Sequence, residues 1–181
     1  GGLIVANNTA LSASGDYSLT SLTLNSGASL KDASILTING AVALNGSNVL
    51  SATNLTVNAD VSADASSYLQ ADTLSISSTA IGSSGSPLYT RAGTIDFTTS
   101  QGDIYLTNNS PMLGFTPALL NIYGSSAGLA SISNYGETTV PTGQTFSAAN
   151  DISLTANSPL NVNGTLSSTA GNIVLTAANP G

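Results

Sequence analysis

The tetrapeptide Leu36-Thr-Ile-Asn39, its near-copy Leu55-Thr-Val-Asn58 and the looser copy Leu74-Ser-Ile-Ser77 decide the fold of this chain. The three copies are equally spaced, and a further copy, Ile95-Asp-Phe-Thr98, follows after a slightly longer interval. Every unit alternates apolar and polar residues, which is the period of a strand with one buried face. A strand that recurs about every twenty residues predicts stacked repeats of one structural unit.

Further copies of the pattern extend over most of the chain. They begin at Leu22, Ile104, Leu120, Ile152 and Ile173. The interval from Ile152 to Ile173 equals that from Leu74 to Ile95, whereas Ile104 comes only nine residues after Ile95. Thr, Val and Ile within the units favour strands, and the Gly, Asn and Ser between them favour turns. The chain is therefore predicted to be all-β.

The length of the repeat favours a solenoid over a sandwich, because sandwich strands recur about every 8–12 residues and alternate in direction. A unit of about twenty residues can hold two or three short strands, which make one circuit of a β-solenoid. The 181 residues would form about nine such coils. Coils stacked about 4.8 Å apart give a rod on the order of 40 Å long. Residues 1–181 are thus predicted to be a single β-solenoid domain.

The repeat is irregular at about residues 86–141. This stretch contains the prolines Pro87, Pro111 and Pro117, together with Arg91. β-Solenoids accommodate inserted loops on their outer faces. We predict a loop or a change of coil shape in this stretch, and we expect any specific binding function to lie there.

Charged residues are scarce and unbalanced. Lys31 and Arg91, which lie far apart in the sequence, are the only basic residues, and the net charge is −7. This balance opposes binding to nucleic-acid phosphates and to anionic membrane surfaces. No stretch approaches the roughly 18 apolar residues of a membrane-spanning helix. We therefore expect no nucleic-acid partner and no membrane insertion.

The sequence offers little material for catalysis. It contains no His and no Cys, which removes the usual general bases and thiol nucleophiles. A glycosidase would need two carboxyl groups roughly 5–9.5 Å apart, and the close pairs are Asp60 with Asp64 and Asp96 with Asp103. Asp96 should face solvent by alternation, and Asp103 follows a glycine in a turn. We expect no catalytic residue and no cofactor.

Metal binding and surface contact leave few candidates. The calcium-roll signature Gly-Gly-x-Gly-x-Asp is absent, so no metal site is predicted. Tyr89, Tyr105 and Tyr123 are the best candidates for a contact surface, since tyrosine rings can stack on a glycan or a protein. Alternation with apolar neighbours predicts that Tyr105 and Tyr123 face outward, although strand propensity alone also accounts for outward tyrosines.

Asparagines close several of the repeat units. Asn25, Asn39 and Asn58 each follow an apolar-Thr-apolar triplet. Equivalent asparagines in stacked coils can hydrogen-bond from one coil to the next. A ladder of asparagine side chains is therefore expected along the rod.

The C-terminal part resembles the repeats of the filamentous haemagglutinin family. The phrases Leu160-Asn-Val-Asn-Gly-Thr-Leu166 and Gly171-Asn-Ile-Val-Leu-Thr-Ala177 carry this resemblance, and earlier units such as Ser51–Ala59 are similar but looser. The resemblance implies a right-handed parallel β-helix that is secreted to the bacterial surface through a partner outer-membrane transporter. It also implies a role as an adhesin, a biofilm factor or a stalk.

Three functions are compatible with the sequence. The first is a structural or adhesive segment of a bacterial extracellular fibre, with a glycan or protein on a host or neighbouring cell as its partner. The second is a subunit that polymerises end to end with copies of itself. The third is a carbohydrate-active β-solenoid enzyme. The chain opens with Gly-Gly-Leu and contains no recognisable signal peptide, so we expect a processed product or a piece of a longer protein.

Overall fold

The alternating units form short strands because each places two or three apolar side chains on one side of an extended backbone. The structure, a computed structural model, describes residues 1–178 except for the side chain of Asp32. In chain order the strands are β1 (Gly2–Val5), β2 (Ala10–Ser12), β3 (Asp16–Leu19), β4 (Ser21–Leu24), β5 (Ser29–Ile38), β6 (Val42–Leu44), β7 (Val49–Val57), β8 (Val61–Ala63), β9 (Tyr68–Ser78), β10 (Leu88–Thr99), β11 (Ile104–Asn108), β12 (Leu120–Ser126), β13 (Ala130–Asn134), β14 (Thr138–Val140), β15 (Thr145–Ala148), β16 (Ile152–Ala156), β17 (Leu160–Val162), β18 (Thr165–Ser168) and β19 (Ile173–Ala177).

Parallel pairing between successive coils arranges these strands as an all-β parallel β-solenoid of about nine coils, which confirms the predicted fold class. Face 1 consists of β1, β4, β6, β8, a single bridge at Ile81, and then β11, β13, β16 and β19. Face 2 consists of β2, the first halves of β5, β7 and β9, and the part of β10 that begins at Thr90. Face 3 consists of β3, the second halves of the same four strands, and then β12, β15 and β18. The first two residues of β10, Leu88 and Tyr89, pair with β11 of face 1.

The register between coils confirms the repeat on face 3. Leu36 pairs with Leu55, Leu55 with Leu74, and Leu74 with Ile95. The short step from Ile95 to Ile104 is a change of face, because Ile95 lies on face 3 and Ile104 begins a face-1 strand. One sequence motif therefore serves two faces, and this explains why its spacing is uneven.

The length of chain needed for one coil increases towards the middle of the sequence. On face 1 an early step runs from Leu3 to Leu22, whereas a later step, from Ile104 to Ala130, is seven residues longer. This longest coil lies within the stretch 86–141 and contains the segment 109–119, which we call the inserted loop. The loop includes a 3-10 turn at Pro111–Leu113.

The core is a set of side-chain columns that run along the rod. One column holds Ile38, Val57, Ile76, Phe97, Gly124 and Phe146 in register. Gly124 has a φ of 135°, and an added Cβ would collide with the backbone of Phe97. Because Gly124 has no side chain, the Phe97 and Phe146 rings meet across it edge to face, with centroids 5.2 Å apart.

Residues 1–178 contain no helix that is both long enough and apolar enough to span a membrane.

Candidate binding groove

The structure places the three candidate tyrosines on two faces of the rod. Tyr105 lies on face 1 and Tyr123 on face 3, and both rings are half-buried. Tyr89 pairs with Thr107 of the face-1 strand β11, which also carries Tyr105, and is only 8% exposed. The three rings are not brought together into one stacking platform, and Tyr89 in particular presents little surface to a partner.

Asp60 and Asp64, two of the carboxylates considered for catalysis, stabilise turns of the coils. The Asp60 Oδ1 atom accepts hydrogen bonds from the Thr79 backbone N–H at 2.8 Å and from the Thr79 hydroxyl at 2.7 Å. The Asp64 Oδ1 atom accepts from the Ser66 backbone N–H at 2.9 Å and from its hydroxyl at 2.8 Å.

These contacts lower the pKa of both carboxyl groups. For Asp60 the main cause is the Thr79 hydroxyl. For Asp64, desolvation is the largest single influence and raises the pKa, but hydrogen bonds from Ser66 and Ser67 together outweigh it. A general acid needs a raised pKa, so the shifts run opposite to that role.

Asp103 and Asp151 also accept backbone hydrogen bonds that hold turns of the coils, a role that was not predicted from the sequence. The Asp103 Oδ1 atom accepts from the Leu129 backbone N–H at 2.9 Å, one coil further on. The Asp151 Oδ1 atom accepts from the Asn172 N–H at 2.7 Å in the same way. The signal in the sequence was an Asp immediately before a face-1 strand, a position that Asp60 also occupies.

The expected asparagine ladder is confirmed for one pair. The Asn58 Nδ2 atom donates to the Asn39 Oδ1 atom at 2.9 Å. Asn25 does not join this pair, because it follows a face-1 strand whereas the other two follow face-3 strands.

The two basic residues, distant in sequence, lie on the same face of the rod. Lys31 directly follows Leu30, which pairs with Leu50 on face 2. Ser51, directly after Leu50, pairs with Gln70, and Gln70 pairs with Arg91. Stacking therefore separates Lys31 from Arg91 by only three coils, or about 14 Å.

An open groove of about 540 Å³ runs along the corner between faces 2 and 3. Its floor is a column of small residues, Ala33, Ala52, Ala71 and Ala92, one from each of four successive coils. The polar residues that line it are Ser51, Thr53, Gln70, Asp72 and Arg91, and Asn109, Ala118 and Leu119 of the inserted loop close one end.

Buried asparagines fix both ends of the inserted loop. The Asn134 Oδ1 atom accepts from the Nδ2 atoms of Asn108, at 3.0 Å, and of Asn109, at 3.2 Å. Its Nδ2 atom donates to the carbonyl oxygens of Ala118, at 3.1 Å, and of Glu137, at 2.8 Å. Asn134 therefore uses its full hydrogen-bonding capacity to hold the first and last turns of the loop.

An aromatic contact attaches the middle of the loop to face 2. The Phe115 ring packs edge to face on Tyr68, with centroids 4.9 Å apart. The Arg91 guanidinium lies over the same ring, 5.1 Å from its centroid. This cation–π contact restrains Arg91 at the side of the groove.

Five polar side chains that line the groove, those of Ser51, Thr53, Gln70, Asp72 and Arg91, make no hydrogen bond to the side chains and backbone groups that the structure describes. Arg91 makes only the contact with Phe115, and Gln70 and Asp72 make no side-chain hydrogen bond or ion pair there. No group of three or more Asp or Glu residues in the described part of the chain is placed to hold a metal ion.

Comparison with known proteins finds no matching family model, no matching curated protein and no matching solved structure.

Proposed function

We propose that this chain is a rigid segment of a bacterial extracellular surface fibre that acts in adhesion or biofilm formation. The observation that carries the proposal is the unbroken parallel stack, in which shorter and longer coils share one hydrophobic core. A stack of this kind resists bending because each coil bonds to the next through parallel strands on more than one face. Such a rod can hold many weak contacts at a distance from a cell surface.

The surface chemistry supports a structural role rather than a catalytic one. Asp60, Asp64, Asp103 and Asp151 accept hydrogen bonds from turns of the coils. Asp60, Asp103 and Asp151 accept from the next coil and so contribute to the stacking on which the rod depends, whereas Asp64 stabilises its own turn. The resemblance of residues 151–178 to filamentous haemagglutinin repeats adds secretion through an outer-membrane transporter to the proposal.

The location can be tested with an antibody raised against the purified chain. We expect immunogold particles on fibres outside intact cells of the bacterium that encodes it, at a distance from the outer membrane. Labelling that requires permeabilised cells would contradict the proposal. A strain that lacks the gene serves as the control for antibody specificity.

End-to-end polymerisation is a second candidate, favoured by the last described coil. Ile173 and Leu175 are 43% and 45% exposed, whereas their register partners Ile152 and Leu154 are fully buried. A following coil would cover them, whether it comes from a continuing chain or from a second copy.

Electron microscopy of the purified chain separates the two candidates. Rods of about 40 Å support the segment, and long filaments support polymerisation. Filaments should disappear in Leu175→Asp, which places a charge on the stacking surface. They should persist in Val174→Asp, because Val174 pairs with the half-buried Ser153 on the outer side of the strand.

A further inference from the structure

We propose that the corner groove binds an uncharged oligosaccharide through Arg91, Asp72 and Gln70. This inference rests on the adhesive function proposed above and gives it a ligand class and a site. The groove combines a flat floor, a set of polar groups without partners and a loop that is held in place.

The unpartnered groups match the hydrogen-bonding capacity of sugar hydroxyls. A hydroxyl both donates and accepts, so it can donate to the Asp72 carboxylate and accept from the Arg91 guanidinium. Gln70 can do either through its amide. Because none of the three bonds to another described residue, a ligand would replace water without breaking a protein hydrogen bond.

The charges in the groove favour a neutral ligand. Arg91 and Asp72 both line it and carry opposite charges. A carboxylated or sulfated sugar would gain from Arg91 but would be repelled by Asp72, in a chain whose net charge is −7. An uncharged sugar gains from both groups.

The shape of the groove favours a chain of sugars over a single small molecule or a peptide. Its alanine floor spans four coils, or about 14 Å along the rod. Its volume of about 540 Å³ is in the range of ligand sites. Among the described residues, Leu119 is the only large apolar one that lines the groove, and the described lining forms no apolar pocket of the kind with which proteins hold peptide side chains.

The inserted loop organises the groove before a ligand arrives. Asn134 holds both ends of the loop, and Phe115 restrains the Arg91 guanidinium. Restraint of this kind reduces the entropy lost on binding. A coil of ordinary length would have no residue at the position of Phe115.

Calorimetric titration of the purified chain tests the proposal. The probes are three neutral hexasaccharides (cellohexaose, mannohexaose and N-acetylchitohexaose) and one acidic probe, hexagalacturonate. We expect at least one neutral probe to bind. Arg91→Ala and Asp72→Asn should each weaken that binding by about tenfold or more, as expected for a hydrogen bond to a charged group.

Two matched variants control for the change of charge. Lys31→Ala removes the other basic residue of face 2, and Asp96→Asn changes the same functional group on face 3, outside the groove. Both should bind within about twofold of the parent chain. Arg91→Lys keeps the charge but loses the planar fork of donors, and it should bind more weakly than the parent but more strongly than Arg91→Ala.

Three results would overturn the proposal: no binding of any neutral probe, equal binding by parent and groove variants, or preference for hexagalacturonate that increases in Asp72→Asn. Circular dichroism of each variant shows whether the fold is retained, and Arg91→Lys and Asp72→Asn are mild enough to keep it. If no probe binds but intact cells are labelled at their surface, the proposed sugar site is wrong and the proposed fibre function stands. If a neutral probe binds but intact cells are not labelled, the proposed fibre function is wrong and the proposed sugar site stands.

Discussion

The coils formed by residues 1–99 and those formed by residues 100–178 fill the same core in different ways. In the first, regular half, aliphatic residues such as Leu36, Leu55 and Leu74 stack directly on one another. In the second, loop-bearing half, the core contains Gly124 between two aromatic rings. Among the described residues it also contains three buried asparagines, Asn108, Asn109 and Asn134, whereas the first half contains one, Asn48. The longer coils thus depend more on specific contacts, whereas the shorter coils depend mainly on repetition.

This difference indicates where variation is tolerated. A column of similar aliphatic side chains can exchange one member for another of like volume at small cost. Gly124 and Asn134 cannot be exchanged in this way, because each meets a requirement of geometry or hydrogen bonding. The loop-bearing half is also the half that supplies the loop end of the corner groove.

The largest expected effect comes from the aromatic pair of the loop-bearing half. Phe146→Ala should lower the free energy of unfolding by about 4 kcal/mol, because Gly124 offers no side chain to fill the cavity. Leu74→Ala in the regular half should cost less, about 3 kcal/mol. Urea denaturation measures both.

Ser147→Ala and Ser75→Ala are the neighbouring controls and should change stability by less than about 0.5 kcal/mol. If Leu74→Ala costs more than Phe146→Ala, the proposed difference between the halves is wrong.

The second-largest effect on stability is expected at Asn134, whose hydrogen bonds hold the inserted loop. Asn134→Leu leaves the Ala118 carbonyl and the Asn109 side-chain amide without a partner. It also removes one of the two hydrogen bonds donated by the Asn108 amide. We expect a loss of about 3 kcal/mol, since each buried polar group without a partner costs about 1–3 kcal/mol. Hydrogen exchange of residues 109–119 should accelerate more than exchange of face 3 in the regular half.

Asn121→Leu is the matched control, because Asn121 is half-buried and makes no side-chain hydrogen bond to the described residues. In Asn121→Leu, the backbone amides of residues 109–119 should exchange at the same rate as in the parent chain. Equal acceleration in both variants would show that Asn134 does not fix the loop.

A smaller effect, of opposite sign, is expected at Thr138. Its hydroxyl is the only buried side-chain polar atom in the described part of the chain that has no hydrogen-bond partner. Thr138→Val removes this hydroxyl at nearly constant volume and should stabilise the chain by about 1 kcal/mol. Thr139→Val, on the outer side of the same strand, should be close to neutral. A destabilised Thr138→Val would mean that the hydroxyl does find a partner.

The smallest effect is a dependence on pH at Asp60. Hydrogen bonds from Thr79 lower the folded-state pKa of Asp60 below 3.8. The stabilisation is therefore complete above the ordinary carboxyl pKa and is lost as the pH falls through the lowered value. Asp60→Asn should be less stable than the parent by at most about 1 kcal/mol at neutral pH, because the carboxylate is exposed.

The difference between parent and Asp60→Asn should shrink below pH 3.8, the ordinary carboxyl pKa. Thr79→Val should lose stability with the same dependence on pH. The double variant Asp60→Asn with Thr79→Val should be little less stable than either single variant. A difference that grows as the pH falls would have the wrong sign for this account.

Much of the fold was predictable because the repeat encodes it locally. The equal steps from Leu36 to Leu55 and from Leu55 to Leu74 became the register of face 3, since alternation fixes which side chains point inward. The uneven steps were harder to interpret, because Ile95 and Ile104 have similar flanking residues but lie on different faces. Only the strand pairing between coils shows that the two motifs belong to different faces.

The candidate site was less predictable, because it depends on contacts between coils that are distant in sequence. Lys31 and Arg91 looked unrelated in sequence but share a face. Nothing in the sequence indicated that Phe115 would contact Tyr68 and Arg91. Tyr89 was chosen for its residue type, yet it pairs with Thr107 on face 1 and is only 8% exposed.

Continuity of the stack across both halves is the central claim, and a distance between two spin labels tests it most directly. The chain contains no Cys, so Ser18→Cys together with Ser167→Cys provides two unique labelling sites on face 3, one near each end of the described rod. Seven coil steps separate them. We predict a narrow distribution of backbone distances centred at about 34 Å. A broad distribution, or two populations that differ between preparations, would show that the regular and loop-bearing halves do not form one rigid rod.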